Sequence, residues 1–217
     1  MKRVPSSPKP LRELGAALAR EFFNRDPRLV GRELLGKLLV RREGRRRLVG
    51  RVIEVEAYLG KDDPAAHSFR GPTPRNLIMF GPPGFAYVYF IYGNHYCLNV
   101  SCQPEGQAGA VLFRALEPLA GIQEMARSRD MTIQRDRDLR LLTSGPGRMA
   151  EAFGVTRERD NGKDLTSIRS DLWLADDGFA PPRVLATKRI GITKAADHLW
   201  RYVIAGNPFV SGPKKLS

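Results

Sequence analysis

The chain has 217 residues, of which 42% are apolar, and its 36 lysines and arginines exceed its 23 aspartates and glutamates to give a formal charge of +13. This apolar content supports a packed core and excludes a disordered polycation, and no apolar run approaches the roughly 20 residues of a membrane-spanning helix. The charge must therefore lie on a folded surface that attracts phosphate polyanions, which makes nucleic acid the leading class of partner.

Helical signals dominate the start of the chain. The spacing of apolar residues predicts a helix over residues 11–23. Asp26 followed by Pro27 is a typical helix start, and it predicts a second helix that continues to Leu34.

The pattern then changes to strands, and residues 38–42 and 48–59 are predicted to form a hairpin around a charged turn. Glu54, Glu56 and Tyr58 alternate with apolar residues, so the two carboxylates and the phenol are expected on one face. The carboxylates could be general acid and base groups or salt-bridge partners for the abundant arginines. Taken alone, the segment favours salt bridges.

The centre of the chain is rich in aromatic residues. Residues 85–91 and 96–103 are predicted strands, and the Gly-Asn pair between them favours a β-hairpin with Tyr92 at its tip. An aromatic residue at such a tip fits either an intercalating wedge or packing against a neighbouring loop. A strand over 109–115 and a helix over 119–129 follow.

The last third carries a predicted helix over residues 144–153 with Ser144 as its cap, and short strands near 183–190 and 200–204. Strands and helices mix without a repeated βαβ period, which favours an α+β fold with a largely antiparallel sheet. With no linker to divide the chain, we expect one domain over 1–217, its first ten or so residues disordered.

The basic excess flanks a near-neutral centre. Residues 1–50 carry 14 basic and 5 acidic side chains, residues 51–125 carry 5 and 7, and residues 126–217 carry 17 and 11. Basic flanks around an aromatic centre suit a protein that grips phosphates and stacks bases, but also an ordinary core with a solvated basic face.

Two further motifs allow both a functional and a structural interpretation. His67 could donate a hydrogen bond to a ligand or be a satisfied structural histidine. Ser144, Gly145 and Arg148 combine free backbone amides with an arginine at a helix start, which suits a phosphate, whereas the alternative is a plain N-cap.

A metal site is not expected. His95, Cys97 and Cys102 alternate across the faces of one hairpin, and the ligand spacing of the zinc base deaminases is absent. The two cysteines are too few for a disulfide framework. The start of the chain is basic and interrupted by prolines, and it lacks the apolar region of a secretory signal. We therefore expect a cytoplasmic protein whose cysteines serve packing, and nucleic acid as its partner would place it at the nucleoid.

Taken together, these segments resemble the alkyladenine (3-methyladenine) DNA glycosylase family. The stretches that carry the resemblance, in the family's order and spacing from about residue 34 to about residue 211, are RVIEVEAYLG (51–60), AAHS (65–68), TPRN (73–76), YVYFIYG (87–93), CLN (97–99), LFRALEP (112–118) and SGP (144–146). The resemblance implies a curved antiparallel sheet flanked by helices, with a β-hairpin that inserts into the DNA minor groove. It also implies a monomeric, monofunctional glycosylase that acts on double-stranded DNA without metal or organic cofactor.

The resemblance also implies how the chain cleaves the bond. Glu56 matches the family's general base, which deprotonates a water that attacks C1′ of a flipped nucleotide. Arg114 matches the arginine that helps to place this water, and Ile190 is expected to offer it a main-chain carbonyl. The implied substrates are 3-methyladenine, 7-methylguanine, hypoxanthine and ethenoadenine.

Base recognition is implied in the same way. Tyr58, His67 and Tyr89 match the pocket walls that stack on the flipped base, and His67 also matches a donor to it. Asn99 matches the residue that crowds the exocyclic amine of normal guanine. Tyr92 matches the wedge that fills the gap left in the stack.

Three features depart from the family pattern or have no counterpart in it. Arg148 stands where a lysine is common, and Asn94 and His95 stand where bulkier side chains are frequent. The charged stretch 127–140 is expected to be a mobile surface loop that contacts the DNA backbone. Two other classes remain open, a non-catalytic lesion or RNA binding module on the same scaffold and a hydrolase of free nucleosides.

Overall fold

The computed structural model describes residues 14–91 and 93–212, and its framework is one nine-stranded sheet in which every pairing is antiparallel. The strands are β1 (Ala16–Ala17), β2 (Leu38–Glu43), β3 (Arg46–Tyr58), β4 (Ala86–Ile91), β5 (His95–Cys102), β6 (Gly109–Ala120), β7 (Leu172–Asp176), β8 (Val184–Thr187) and β9 (Arg201–Ile204). The helices are α1 (Arg20–Phe23), α2 (Pro27–Leu34), α3 (Ile122–Ser128), α4 (Asp136–Thr143), α5 (Pro146–Ala152) and α6 (Arg157–Asp160), with 3₁₀ turns at Gly60–Asp62 and Leu77–Phe80. The predicted α+β class is confirmed.

The sheet curls around its longest strand, β3. The order along the sheet is β1-β7-β2-β3-β6-β5-β4, and β9 pairs with β3 and with β8. One edge of β3 lies along β6, so the other edge is shared by β2, at residues 46–51, and by β9, at residues 54–56. Register shifts on either side of Glu54 bend the strand where this change of partner occurs.

Helix α2 packs on this strand as its sequence predicts. The side chain of Asp26 caps the helix by accepting a hydrogen bond from the backbone N–H of Arg28 at 2.7 Å. Val30 and Leu34, one turn apart, are fully buried, and each contributes about 1.5–3 kcal/mol of apolar burial.

The prediction of a helix over 11–23 is wrong for residues 14–19 and is confirmed for residues 20–23, which form α1. Gly15 has a φ of +73°, and a Cβ there would lie 1.6 Å from the carbonyl oxygen of Asp176. This close approach brings Ala16 and Ala17 into β1 beside β7, so the helix is limited to α1. Residues 11–13 lie outside the described residues.

The expectation of a surface loop over 127–140 is wrong for residues 127–128 and 136–140, which are helical, and only residues 129–135 form a connection between helices. Helix α3 extends to Ser128, and α4 begins at Asp136. The Asp138 side chain caps the start of α4 by accepting a hydrogen bond from the backbone N–H of Arg135 at 3.0 Å. Between the helices, Arg129 Nη1 donates to the carbonyl of Leu141 at 2.6 Å. The charges that suggested a loop are therefore used to cap and join two helices.

Two more boundaries differ from the predictions. Strand β6 continues to Ala120, and Gly121 turns the chain with a φ of +74°, so α3 begins at Ile122 rather than at residue 119. Helix α5 is preceded by Gly145 as N-cap, and the side chain of Ser144 makes no cap. The backbone of Ser144 instead forms an isolated antiparallel bridge with Ala115.

The central hairpin is confirmed as β4 and β5, which pair from Ala86–Val100 to Ile91–His95. The aromatic residue predicted at its tip, Tyr92, lies outside the described residues, so its role as a wedge stays a prediction.

Candidate active site

Two buried glutamates on one face of β3 form the centre of the site. The side chains of Glu54 and Glu56 are fully buried, and both contact Arg114 from the neighbouring strand β6. Arg114 Nε lies 2.8 Å from Glu54 Oε1, and its Nη1 lies 3.1 Å from Glu56 Oε1. The predicted shared face of the strand is therefore confirmed.

Glu54 is fully engaged in structural contacts. Besides Arg114, it accepts hydrogen bonds from Arg201 Nε at 2.7 Å and from the backbone N–H and the hydroxyl of Ser211 at 2.5 and 2.7 Å. Burial raises the pKa of Glu54, but the guanidinium groups of Arg114 and Arg201 outweigh burial and hold this pKa below its ordinary value. Glu54 is thus the salt-bridge partner that the sequence pattern favoured.

Glu56 has a different environment. Its Oε1 accepts hydrogen bonds from the backbone N–H of Ile190 at 2.8 Å and contacts Arg114, while its Oε2 accepts from the Tyr58 hydroxyl at 2.9 Å. A carboxylate offers about four acceptor positions, so three donors leave about one for a further partner. Glu56 also borders the large cavity of the molecule, where that partner can be a water.

Arg114 and Tyr58 both remain in the state that donates to this carboxylate. Burial lowers the pKa of Arg114, but the carboxylates of Glu56 and Glu54 outweigh it, so this pKa lies above its ordinary value. Burial, followed by the charge of Glu56, raises the pKa of Tyr58 well above its ordinary value. The guanidinium therefore stays charged and the phenol stays protonated.

The cavity has a volume of about 530 Å³, which lies within the range of small-molecule sites. Its lining contains every site residue predicted from the sequence that the structure describes, namely Glu56, Tyr58, His67, Tyr89, Asn99, Arg114, Ser144, Gly145, Arg148 and Ile190. These residues come from four strands, the start of α5 and two loops. Tertiary folding brings together residues that lie far apart in the chain, as Glu56 and the backbone N–H of Ile190 do across 134 positions.

One wall of the cavity is aromatic. The rings of His67 and Tyr89 meet edge to face at 4.6 Å, and Tyr87 lies 5.6 Å from Tyr89. His67 Nδ1 forms a 3.0 Å hydrogen bond with the Tyr87 hydroxyl. Burial, followed by the charge of Arg75, lowers the pKa of His67, so the imidazole is neutral near pH 7 and carries one donor and one acceptor nitrogen.

Tyr87 is a wall residue that the sequence analysis did not single out as part of the site. Its position two residues before Tyr89 on β4 places both rings on one strand face, so the alternation was the available signal. Burial raises the pKa of both phenols, so both stay neutral. Opposite Tyr87 on β5, the buried amide of Asn99 donates to the Tyr87 carbonyl at 3.1 Å.

The residues predicted to hold a phosphate line the mouth of the cavity, but not as expected. The N–H of Gly145 donates to the carbonyl of Arg114 at 3.0 Å, so it is not a free amide. Arg148 is exposed, and its Nη1 lies 3.4 Å from the carbonyl of Ser144. Arg148 is therefore the group in this motif that is available to an anion.

Ile190 also contacts the site through a different atom from the one predicted. The carbonyl that the resemblance assigns to a water stays a prediction, and the described contact is made by the N–H, which donates to Glu56. The arginine and serine that surround Glu54, Arg201 and Ser211, were missed because no local pattern links them to a strand some 150 residues earlier.

Comparisons with known proteins agree with this arrangement. The model of the methylpurine-DNA glycosylase family matches residues 21–208, and this range includes both glutamates, the aromatic wall and Arg114. The chain belongs to the methylpurine-DNA glycosylase family. It is accordingly a DNA glycosylase, a hydrolase of N-glycosidic bonds whose substrate is DNA.

Relatives that share the printed name "Putative 3-methyladenine DNA glycosylase" cover nearly the whole chain of this glycosylase. A protein of Koribacter versatilis is 64% identical over 201 residues, which are 93% of this chain and 96% of the relative. A protein of Burkholderia lata is 48% identical over 200 residues, 92% and 93% of the two chains. One from Rhodopseudomonas palustris (strain BisB18) is 47% identical over 212 residues, 97% and 96% of the two chains.

The described residues of this glycosylase form neither a metal site nor a membrane-spanning helix. Within residues 14–91 and 93–212, no three histidine, cysteine or acidic side chains are grouped so that they could hold a metal ion. Over the same ranges, every helix is too short or too polar to span a membrane. Both cysteines are free and buried, and burial raises the pKa of each thiol, so both stay protonated.

Proposed function

We propose that this protein is a monomeric, monofunctional glycosylase that removes damaged purines from double-stranded DNA and leaves an abasic site. The substrates are 3-methyladenine, 7-methylguanine, hypoxanthine and ethenoadenine. The proposal is carried by the environment of Glu56. Its buried carboxylate borders the cavity, accepts contacts from three fixed donors and retains about one acceptor position.

In this mechanism Glu56 is the general base. A water that occupies its remaining acceptor position is deprotonated as it attacks C1′ of the flipped nucleotide, and the bond to the purine breaks with its electron pair leaving on the base. The proton of the water passes to Glu56. Arg114, Tyr58 and the N–H of Ile190 hold the carboxylate in one orientation, which keeps the water in line with C1′.

The aromatic wall receives the flipped base. Tyr58, His67 and Tyr89 stack on the purine, and stacking tolerates many purines because each has a π-face. The neutral imidazole of His67 supplies a hydrogen bond to the base. Asn99, held by the Tyr87 carbonyl, stands where the exocyclic amine of guanine would lie, so the normal base fits less well.

The rest of the surface grips DNA without regard to sequence. Most of the excess positive charge lies outside residues 51–125, which contain most of the proposed catalytic and base-binding residues. The β4–β5 hairpin enters the minor groove, Tyr92 fills the gap in the stack, and Ser144 and Arg148 contact a phosphate at the mouth of the cavity. Extrusion is easiest for a weakly paired lesion, so part of the selectivity arises before the pocket is reached.

The test is excision from defined duplexes. Each duplex contains one damaged purine, and purified protein is scored for abasic sites beside two variants with the same chemical change. Glu56→Gln should bind the duplex but release the base at least about 10²-fold more slowly, whereas Glu105→Gln, at an exposed position away from the cavity, should behave as wild type. Binding by the wild type without base release would support a non-catalytic lesion-binding module instead.

A further inference from the structure

A buried ion pair lies next to the end of β3, the strand that carries Glu56. Arg189 and Asp63 meet through two parallel contacts, Nη1 to Oδ2 at 2.5 Å and Nη2 to Oδ1 at 2.8 Å, and both side chains are fully buried. Asp63 follows the 3₁₀ turn after β3, and Arg189 follows β8, so the pair joins two segments 126 residues apart. Neither residue lines the cavity.

The guanidinium of Arg189 grips the segment that carries Glu56. Its Nη1 also donates to the carbonyl of Ala57 at 3.0 Å. Its Cζ lies over two rings, 4.6 Å from the centroid of Tyr58 and 5.0 Å from that of Trp200. Arg189 therefore contacts the two residues that follow Glu56 in the strand.

Arg189 is also the residue before Ile190, whose N–H donates to Glu56 Oε1 at 2.8 Å. The Tyr58 hydroxyl donates to Glu56 Oε2 at 2.9 Å. Two of the three donors to Glu56 thus belong to residues that Arg189 either adjoins or stacks on. The third donor, Arg114, is held separately by Glu54.

The burial of this pair does not by itself explain its presence. Desolvation of a buried ion pair often offsets the attraction between its charges, so such a pair is weak evidence for stability. The Nε of Arg189 is also buried without a hydrogen-bond partner.

We propose that Arg189, clamped by Asp63, is a positioning residue that sets the orientation of the Glu56 carboxylate through Ile190 and Tyr58. This inference rests on the proposed function of Glu56 as the base. We call the Arg189–Asp63 pair the clamp. Loss of the clamp lets Ile190 and Tyr58 move, so the Glu56 carboxylate no longer directs its water at C1′. A misplacement of about 1 Å far from the chemistry can cost about 10²-fold in rate.

The chain contains a matched control for this pair. Arg41 and Asp160 are also fully buried, also meet through two contacts, at 3.0 and 2.7 Å, and also leave the arginine Nε without a partner. Neither of them lines the cavity or contacts Glu56, Tyr58 or Ile190 in the described structure. Arg41→Met therefore reproduces the loss of a buried pair without the loss of the clamp.

The experiment measures single-turnover release of hypoxanthine from a duplex. The fraction of active protein in each preparation is first determined by titration with a duplex that carries a tetrahydrofuran abasic analogue, so that rates are compared per active molecule. Arg189→Met should lower the rate by about 10²-fold, while binding to the abasic duplex is unchanged. Arg189→Lys, which keeps the charge but not the two parallel contacts, should recover part of the rate. Arg41→Met should lose thermal stability but keep the wild-type rate per active molecule.

A second comparison separates positioning from general damage. In a Glu56→Gln background, Arg189→Met should cause no further loss, because the clamp acts through Glu56. An additional loss there, or a wild-type rate in Arg189→Met alone, would overturn the inference. If Arg189→Met does not fold, Asp63→Asn tests the inference instead. A wild-type rate of base release in Asp63→Asn overturns the inference, and a reduced rate with unchanged binding supports it.

The two proposals fail in different ways. If Glu56→Gln keeps its activity, the base assignment is wrong and the clamp loses its target. If Glu56→Gln is inactive while every variant of Arg189 and Asp63 is as fast as wild type, the base assignment stands and only the clamp is refuted.

Discussion

Glu54 Oε1 lies 2.8 Å from Arg114 Nε, and this contact fixes the arginine whose Nη1 meets Glu56. The two glutamates are two residues apart on one strand and share one cation, yet only Glu56 borders the cavity. Glu54 accepts donors from Arg201 and Ser211 in addition, so its role is to anchor. The guanidinium of Arg114 therefore joins the structural carboxylate of Glu54 to the carboxylate of Glu56, which we propose as the base.

Neutralising Glu54 should destabilise the fold. Glu54→Gln leaves the buried Arg201 without a carboxylate and leaves the buried Arg114 with Glu56 alone, so we expect the free energy of unfolding to fall by about 3 to 5 kcal/mol. Chemical denaturation measures this loss. The control Glu33→Gln removes a half-exposed partner of Arg25 and should cost less than about 1 kcal/mol. Equal effects of the two substitutions would contradict the anchoring role.

The same carboxylate predicts how stability depends on acid. Because the arginines hold the folded-state pKa of Glu54 below 4.5 despite burial, its contribution is fully present above about pH 4.5 and is lost as the pH falls through the folded-state value. The free energy of unfolding of the wild type should therefore approach that of Glu54→Gln on acidification. A gap that stays constant between about pH 6 and about pH 3 would show that Glu54 does not titrate in this way.

Asn99 is predicted to control discrimination against normal guanine. Asn99→Ala removes the amide held by the Tyr87 carbonyl and opens space where the exocyclic amine of guanine would lie. We expect excision of guanine to rise by about 10-fold or more relative to hypoxanthine. Single-turnover release of both bases from otherwise identical duplexes measures the ratio, and an unchanged ratio would remove Asn99 from the specificity of the enzyme.

Tyr92 is predicted to act only where a stack must be filled. Tyr92→Ser should weaken capture of a lesion in a duplex more than capture of the same lesion in a single strand, because a single strand leaves no gap between paired bases. Tyr96→Ser, which removes a ring that packs on Phe90 in the same hairpin, controls for the loss of an aromatic residue. Equal losses on both substrates would argue against a wedge.

The sequence predicted those parts of the fold whose signals are local. The capping pair Asp26-Pro27 identified α2, the alternation around Glu56 identified the face of β3, and the Gly-Asn turn identified the central hairpin. Each signal arises from neighbours in the chain, so no tertiary information was needed.

The parts that were missed depend on contacts between distant segments. Strand β7 lies between β1 and β2, and this place in the sheet has no local signature. The helix predicted at the start was displaced because Gly15 approaches Asp176 from another part of the chain. In the site, the wall residues Tyr58, His67 and Tyr89 followed from the family resemblance. Arg201 and Ser211 reach Glu54, and Arg189 reaches Ala57, only through tertiary folding.

The most direct test of the base assignment is the single-turnover rate of hypoxanthine release by Glu56→Gln at saturating enzyme. General base catalysis by a positioned side chain typically contributes about 10² to 10⁴-fold, so we expect a loss of at least about 10²-fold with unchanged binding to an abasic-analogue duplex. A rate within experimental error of the wild type would contradict the assignment of Glu56 as the base.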